Sequence, residues 1–292
     1  MSAHVPVMTD EVVTALHPDH GGVFVDCTVG LGGHARALLA AGATRLIGID
    51  RDPAALALAA AALEEWGGRV ELVHGDYRDA PRFLDERGID AIDGAVADLG
   101  VSSLQLDGAG RGFSFQRDEA LDMRMDTSRG PTAAELLGEV DERDLADVIY
   151  RYGEERRSRA VARAIVAARR EAPLRTTAQL ASIVRRVVGR HGRIDPATRT
   201  FQAIRIWVNG ELDGFDLFLR AMCARLRAGA RFAVVTFHSL EDRPVKHTFR
   251  ALAGEGGAFR LVTKKSLVPG DGELRSNPRA RSARLRAIER VG

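Results

Sequence analysis

Four β-prone runs in the first hundred residues each close on a carboxylate. They are Val23 to Asp26, Arg45 to Asp50, Arg69 to Val73 with Asp76 just beyond, and Ala91 to Asp98. Helical patterns separate them. Asp52-Pro53 starts one helix, with Asp as N-cap and Pro in the first turn, and Leu56, Ala57, Ala60 and Leu63 give it an apolar stripe. Strands alternating with helices mean βαβ units and a parallel sheet. Such a sheet gathers the carboxyl ends of its strands at one edge, where ligands bind. Four carboxylates there suit a cationic ligand better than an anionic one.

The alternation then stops. Residues 107–130 are rich in Gly, Arg, Asp and Ser and read as loop, and 132–205 carry only helical patterns. Leu180, Ile183, Val184, Val187 and Val188 share one helical face. On a helix expected over 155–171, Arg156, Arg159, Arg163 and Arg170 form a stripe opposite Val161, Ala164, Ile165 and Ala168. A further helix has Leu212, Phe215, Leu219 and Met222 on one face. Strand character returns at 231–237, 259–263 and 283–289. The expected architecture is a doubly wound α/β domain in two parts, 1–106 and 206–292, interrupted by a helical insert at 107–205.

At 292 residues and 45% hydrophobic, the chain can bury a core of that size. No apolar stretch nears the roughly 18 residues of a membrane span. Met1-Ser2-Ala3-His4 lacks a signal pattern. Cys27 and Cys223 form neither a CxxC nor a disulfide framework. A cytoplasmic protein with no membrane partner and no metal is expected. The net charge of +2 conceals blocks of −9 over 1–100, −6 over 101–150, +10 over 151–205 and +8 over 243–292. Basic blocks beside an acidic half point to a polyanionic partner.

Two constellations could carry chemistry. In Asp26-Cys27-Thr28-Val29-Gly30-Leu31-Gly32-Gly33-His34, glycines between a strand and a helix let a ligand approach the main chain. Asp50, 20 residues after Gly30, can accept hydrogen bonds from ribose hydroxyls. Together they imply an adenosine cofactor. Gly30, Gly32 and Ala35 also fit a dinucleotide fingerprint, so an NAD-dependent oxidoreductase stays open. Asp26, Asp76 and Asp98 favour S-adenosylmethionine: Asp26 suits its ammonium, Asp76 in His74-Gly75-Asp76-Tyr77 closes the third strand where an adenine could meet an acidic or aromatic edge, and strand-end carboxylates suit a cationic sulfonium.

The second constellation is Asp98-Leu99-Gly100-Val101-Ser102-Ser103-Leu104-Gln105-Leu106-Asp107. The exocyclic amine of a base is a poor nucleophile because its lone pair is delocalised. A carboxylate and a backbone carbonyl accepting its two N–H bonds would favour the tetrahedral, developing-positive nitrogen. Asp98 with the Leu99 carbonyl could do this, which makes Asp98 the catalytic candidate.

These blocks resemble the RsmH (MraW) family of bacterial rRNA methyltransferases. The likeness also covers His4–Met8, Arg111-Gly112-Phe113-Ser114-Phe115, Leu121–Met125, Tyr152–Arg156, Thr200–Ile206 with Asn209–Leu212, Phe237–Arg243 and Asn277–Ser282. It implies a Rossmann-like class I S-adenosylmethionine-dependent methyltransferase fold with an inserted all-helical domain. The implied reaction is methylation of N4 of a cytosine, cytosine 1402, in the decoding region of 16S rRNA within the small ribosomal subunit. The implied cofactor is S-adenosyl-L-methionine, with contacts at Gly32, Gly33, His34, Asp50, Tyr77, Asp98 and Gln105. Tyr77 stands where the family carries phenylalanine, and a ring able to stack on adenine survives the change.

Asp98-Leu99-Gly100-Val101 lacks the Pro-Pro-aromatic motif common in base amino-methyltransferases, so the ring that stacks on the target base must lie elsewhere. Phe113, Phe115 and Phe237 are candidates. Arg156, Arg159, Arg163, Arg170, His238, Arg279 and Arg281 are further substrate-side candidates. A non-catalytic RNA-binding protein with a vestigial site is the remaining alternative.

Overall fold

The structure, a computed structural model, describes residues 6–108, 110–189, 194–254 and 256–292, apart from the side chains of Ser103 and Asp107. His4 and Val5 of the first matching block lie outside the described residues. The chain forms two compact units, residues 1–100 with 214–292 and residues 101–213. The second begins before and ends after the 107–205 expected for an insert.

The first unit opens with α1 (Thr9–Leu16), β1 (Val23–Asp26), α2 (Gly33–Ala40) and β2 (Arg45–Asp50). It continues with α3 (Pro53–Ala62), β3 (Val70–His74), α4 (Ala80–Asp85) and β4 (Ile92–Asp98). The second unit holds α5 (Ser103–Asp107), α6 (Ala133–Glu139), α7 (Glu142–Gly153), α8 (Ser158–Glu171), α9 (Thr177–Val188) and α10 (Ala197–Asn209). The first unit resumes with α11 (Phe215–Ala224), β5 (Leu226–Thr236), α12 (Ser239–Gly254), β6 (Phe259–Leu261), α13 (Asp271–Ser276) and β7 (Arg284–Arg290).

The seven strands run in the order β3-β2-β1-β4-β5-β7-β6. The first five are parallel, and β7 is antiparallel between β5 and β6. This is the Rossmann-like class I methyltransferase arrangement expected from the sequence. Both faces are covered, so successive strand residues enter opposite cores: Phe24 packs in one layer and Val25 in the other. Strand order reverses between β1 and β4. Ligands of open α/β sheets bind at such a point, outside the carboxyl ends.

Three expected faces shift. On α3 the buried line is Ala55, Ala59 and Leu63, while Ala57 and Ala60 are exposed. That helix is nearly all alanine and leucine, so its sequence distinguishes no face. Leu212 precedes α11, which begins at Phe215 after Gly214 in the left-handed region (φ 64°). Helix α8 begins at Ser158, so Arg156 sits in the preceding turn, and Ala162 and Val166 are buried where Ala164 and Ala168 were expected.

The second unit packs Leu137, Leu145, Ile149, Ile165, Val184 and Phe201 in its own core. Reciprocal capping boxes start three of its helices, at Ser102–Gln105, Thr132–Glu135 and Thr176–Gln179. Asn209 accepts the Met125 amide at 2.7 Å and donates to the Met123 carbonyl at 2.8 Å. It thereby holds Met123, which is buried with φ 61°, in a conformation costly for a side chain of that size. Among the described residues, no helix is long and apolar enough to cross a membrane.

A carboxylate-lined site at the sheet edge

The turn after β1 is built by hydrogen bonds from its own backbone to strand-end side chains. Asp26 Oδ1 accepts the Thr28 amide at 3.1 Å. Gly30 and Gly32 adopt φ 52° and 83°, a region glycine enters without strain. At Gly33 a β-carbon would lie 2.7 Å from Pro6 Cγ, so the N-terminal segment crosses only a bare backbone there. Asp50 closes this turn onto the next strand. Its Oδ2 accepts the Gly30 amide at 2.8 Å and its Oδ1 the Asp52 amide at 2.9 Å. Asp52 caps α3 through the Ala54 amide, as its sequence position predicts.

Asp98 joins the same edge from β4. Its amide donates to Thr28 Oγ1 at 2.7 Å, tying the ends of β1 and β4 together. Its Oδ2 lies 3.7 Å from His34 Nδ1, and His34 Nε2 donates to the Val7 carbonyl at 2.9 Å. A carbonyl can only accept, so the neutral ring carries its proton on Nε2.

These acids repel ionisation. Burial, then the neighbouring Asp50, pushes Asp26 up to about 7 against the opposing Thr28 amide bond. Burial also raises Asp50. Asp98 rises well above the usual carboxylate range, through burial first and then through Asp26, Glu241 and Glu273. Asp98 keeps 21% of its side-chain exposure, yet its Oδ1 is shielded from solvent. Among the described residues, Asp26 Oδ2 and Asp98 Oδ1 have no hydrogen-bond partner. Buried charged-group oxygens seldom stay unsatisfied without a role.

Asp76, the third of the four expected acids, is neutralised. Its Oδ2 takes Arg51 and Arg78 at 2.7 Å each, and its Oδ1 takes the Arg78 amide and Nε. These cations hold it below the usual carboxylate range although burial opposes them. The two arginines also flank the buried Tyr77 ring, at 5.7 and 5.9 Å from its centroid. That ring also packs edge-on against Phe218 at 4.7 Å. The Gly75 amide donates to the Asp50 carbonyl at 2.9 Å, which brings the end of β3, and with it Tyr77, beside Asp50.

The structure thus gathers Gly32, Gly33, His34, Asp50, Tyr77 and Asp98 on one edge of the first unit. Sequence reasoning missed Thr28, Glu241 and Glu273 there. Thr28 lay in the glycine-turn block, and Glu241 in the Phe237–Arg243 block. Glu273, which accepts the Met8 amide at 2.8 Å, lies in a stretch with no motif. His238 Nε2 lies 3.0 Å from Glu241 Oε1, and Glu241 Oε2 accepts the Phe237 amide at 2.7 Å, so this pair holds the turn after β5. The half-buried Phe237 ring lies against Gly100, whose added β-carbon would stand 3.1 Å from it. Arg279 and Arg281 are exposed on the turn Pro278–Ser282.

The other candidates belong to the second unit. Gln105 is buried, and its Oε1 accepts the Ser102 amide at 3.0 Å in the capping box. Phe113 is buried, and Phe115 packs on Phe201 at 4.9 Å with Arg185 over its ring. Arg156, Arg159, Arg163 and Arg170 are all exposed. Arg163 meets Glu142 at 3.4 Å, a solvent-exposed pair of little energetic weight.

Comparison with known proteins agrees along the whole chain. A Ribosomal RNA small subunit methyltransferase H from Nitrobacter winogradskyi is 53% identical, over 99% of this chain and 91% of its own length. Proteins of the same name from Sorangium cellulosum and Rhodospirillum rubrum are 52% and 50% identical, over 99% and 100% of this chain and 91% and 95% of theirs. A solved structure, an rRNA methylase from Streptococcus thermophilus, aligns over 97% of this chain and 94% of its own at 12% identity and a TM-score of 0.43. The model of one family, described as the MraW methylase family, matches residues 1–291, and the chain belongs to that family.

Proposed function

We propose that this chain is an S-adenosylmethionine-dependent rRNA methyltransferase acting on N4 of a cytosine in 16S rRNA of the small ribosomal subunit. The observation that carries the reading is the pair of shielded, unpartnered oxygens, Asp26 Oδ2 and Asp98 Oδ1, in a setting of carboxylates. That donor set fits an ammonium, a sulfonium and a ribose diol. It repels a pyrophosphate, which disfavours a dinucleotide oxidoreductase. The names of the relatives support the rRNA substrate.

In this reading Asp26 holds the cofactor's ammonium, Asp50 its ribose, and Tyr77 its adenine. The Gly32-Gly33-His34 backbone completes the contacts made by the first unit. Once bound, the cofactor supplies a methyl group already activated on a cationic sulfur, so positioning dominates catalysis. Asp98 and the Leu99 carbonyl accept the two N–H bonds of the amine and favour a tetrahedral nitrogen. Asp98 then takes the released proton. Phe237, half-buried against Gly100 beside the end of β4, is the aromatic face we assign to the target base, because Phe113 is buried and Phe115 packs on Phe201 within the helical unit. The base enters unstacked.

The helical unit, through Arg159, Arg163 and Arg170 with Arg156 in the turn before them, grips RNA phosphates. Arg279 and Arg281 do the same from the first unit, with His238 on the substrate side.

The test is transfer of labelled methyl from S-adenosylmethionine to small subunits purified from a strain lacking the endogenous enzyme. Incorporation that depends on Asp98 supports the reading. Tight RNA binding without incorporation would identify a non-catalytic RNA-binding protein instead. A thermal shift with NAD and none with S-adenosylmethionine would return the oxidoreductase.

A further inference from the structure

We propose that Asp98, with His34 behind it, is the group by which the site distinguishes fresh cofactor from spent product: ionised beside a sulfonium, protonated beside a neutral thioether. The proposal rests on the S-adenosylmethionine reading above and adds a regulation of that site.

Asp98 Oδ2 lies 3.7 Å from His34 Nδ1 on α2, and the negative charges of Asp26 at the end of β1, Glu241 on α12 and Glu273 on α13 act on the same carboxyl. Among the described residues no lysine or arginine pairs with Asp98 or Asp26. In the neutral ring the Val7 carbonyl fixes the His34 tautomer, which turns the Nδ1 lone pair toward Asp98 Oδ2 at 3.7 Å. A bare carboxylate there faces a lone pair and feels the repulsion of three other acids. A carboxyl O–H meets an acceptor roughly 1 Å beyond hydrogen-bond length. The raised proton affinity of Asp98 runs in the same direction. A cation seated at this edge reverses the preference and displaces the proton.

The reaction closes this cycle. The amine lone pair forms the N–C bond, and the electron pair of the broken C–S bond stays on sulfur. One N–H proton passes to Asp98. The positive charge that left sulfur therefore returns to the carboxyl as a proton, and the net charge of the site is unchanged. The spent product then sits beside a protonated Asp98, and fresh cofactor enters only as that proton leaves. Both ligands carry the same ammonium and ribose, so Asp26 and Asp50 cancel in the comparison.

Calorimetry on the full chain, in buffers of different ionisation enthalpy near pH 7.5, tests this. S-adenosylmethionine should release about one more proton than S-adenosylhomocysteine. The ratio of their Kd values should favour S-adenosylmethionine increasingly as pH rises, by up to about tenfold per pH unit. Asp98→Asn should abolish the difference in proton count. His34→Gln keeps a donor for Val7 but loses Nδ1, and should move the difference to lower pH. Equal proton counts with both ligands bound, or a difference that persists in Asp98→Asn, would overturn the proposal and leave the site reading standing. Failure of both ligands to bind the native chain would overturn the site reading, and the proposal with it.

Discussion

The Asp50 carboxylate accepts the Gly30 amide at 2.8 Å, so the residue that ends β2 also holds the turn that follows β1. One side chain both shapes the glycine turn and, in our reading, binds ribose. Asp50→Ala should weaken S-adenosylmethionine by about 1.5–3 kcal/mol, the range for a charged hydrogen bond. RNA affinity should not change. Titration calorimetry checks both, and unaltered cofactor affinity would remove Asp50 from the site.

Asp26 carries a stability cost that, in our reading, the cofactor's ammonium offsets. Its ordinary value is 3.8 and its value in the fold is about 7. Below that window folded and unfolded chains both hold the proton. Within it only the folded chain does, so stability falls as pH rises, by at most about 1.4 kcal/mol per unit. Asp26→Asn should therefore raise the Tm of the cofactor-free protein at pH 8 while cofactor affinity falls. Thermal melts across pH read the first effect, and a variant less stable than the parent at pH 8 would contradict it.

Asp98→Asn should lower kcat at least tenfold with the fold and RNA binding intact, because an amide oxygen can accept the N–H bond but carries no charge and cannot take the proton. If the contact to cofactor dominates instead, the KM for S-adenosylmethionine rises and kcat is kept. Steady-state kinetics separate the two. Preserved values of both would exclude Asp98 from the chemistry.

Replacing Arg159, Arg163 and Arg170 with Gln keeps helix propensity nearly constant. It should weaken binding to ribosomal subunits and flatten the dependence of log K on log salt by up to about 0.7 per lost single-strand contact. Cofactor affinity should not move. An unaltered salt slope would make these arginines a solvated face.

The sequence and the structure agree where local chemistry decides. Each of the first four strands is a short apolar run closed by polar residues, and Asp52-Pro53 caps its helix as its residue types require. They part where partners come from elsewhere in the chain. Nothing near Asp76 reveals that Arg51 folds onto it from the preceding loop. Glu241 and Glu273 reach Asp98 from segments beyond the helical unit, and no local pattern marks them as a cluster. Helix α3 hides its face because alanine on every side leaves no contrast to read. The start of α8 slips past Arg156 because no polar cap marks it, and the Arg157 side chain at its N-cap makes no capping hydrogen bond.

The most direct measurement is nucleoside mass spectrometry of 16S rRNA from unmodified small subunits, incubated with this protein and S-adenosylmethionine. The account gives one new methyl on N4 of a single cytosine, lost in Asp98→Asn. A methyl on carbon, ribose or another base, or none under conditions where cofactor and subunit both bind, would contradict it.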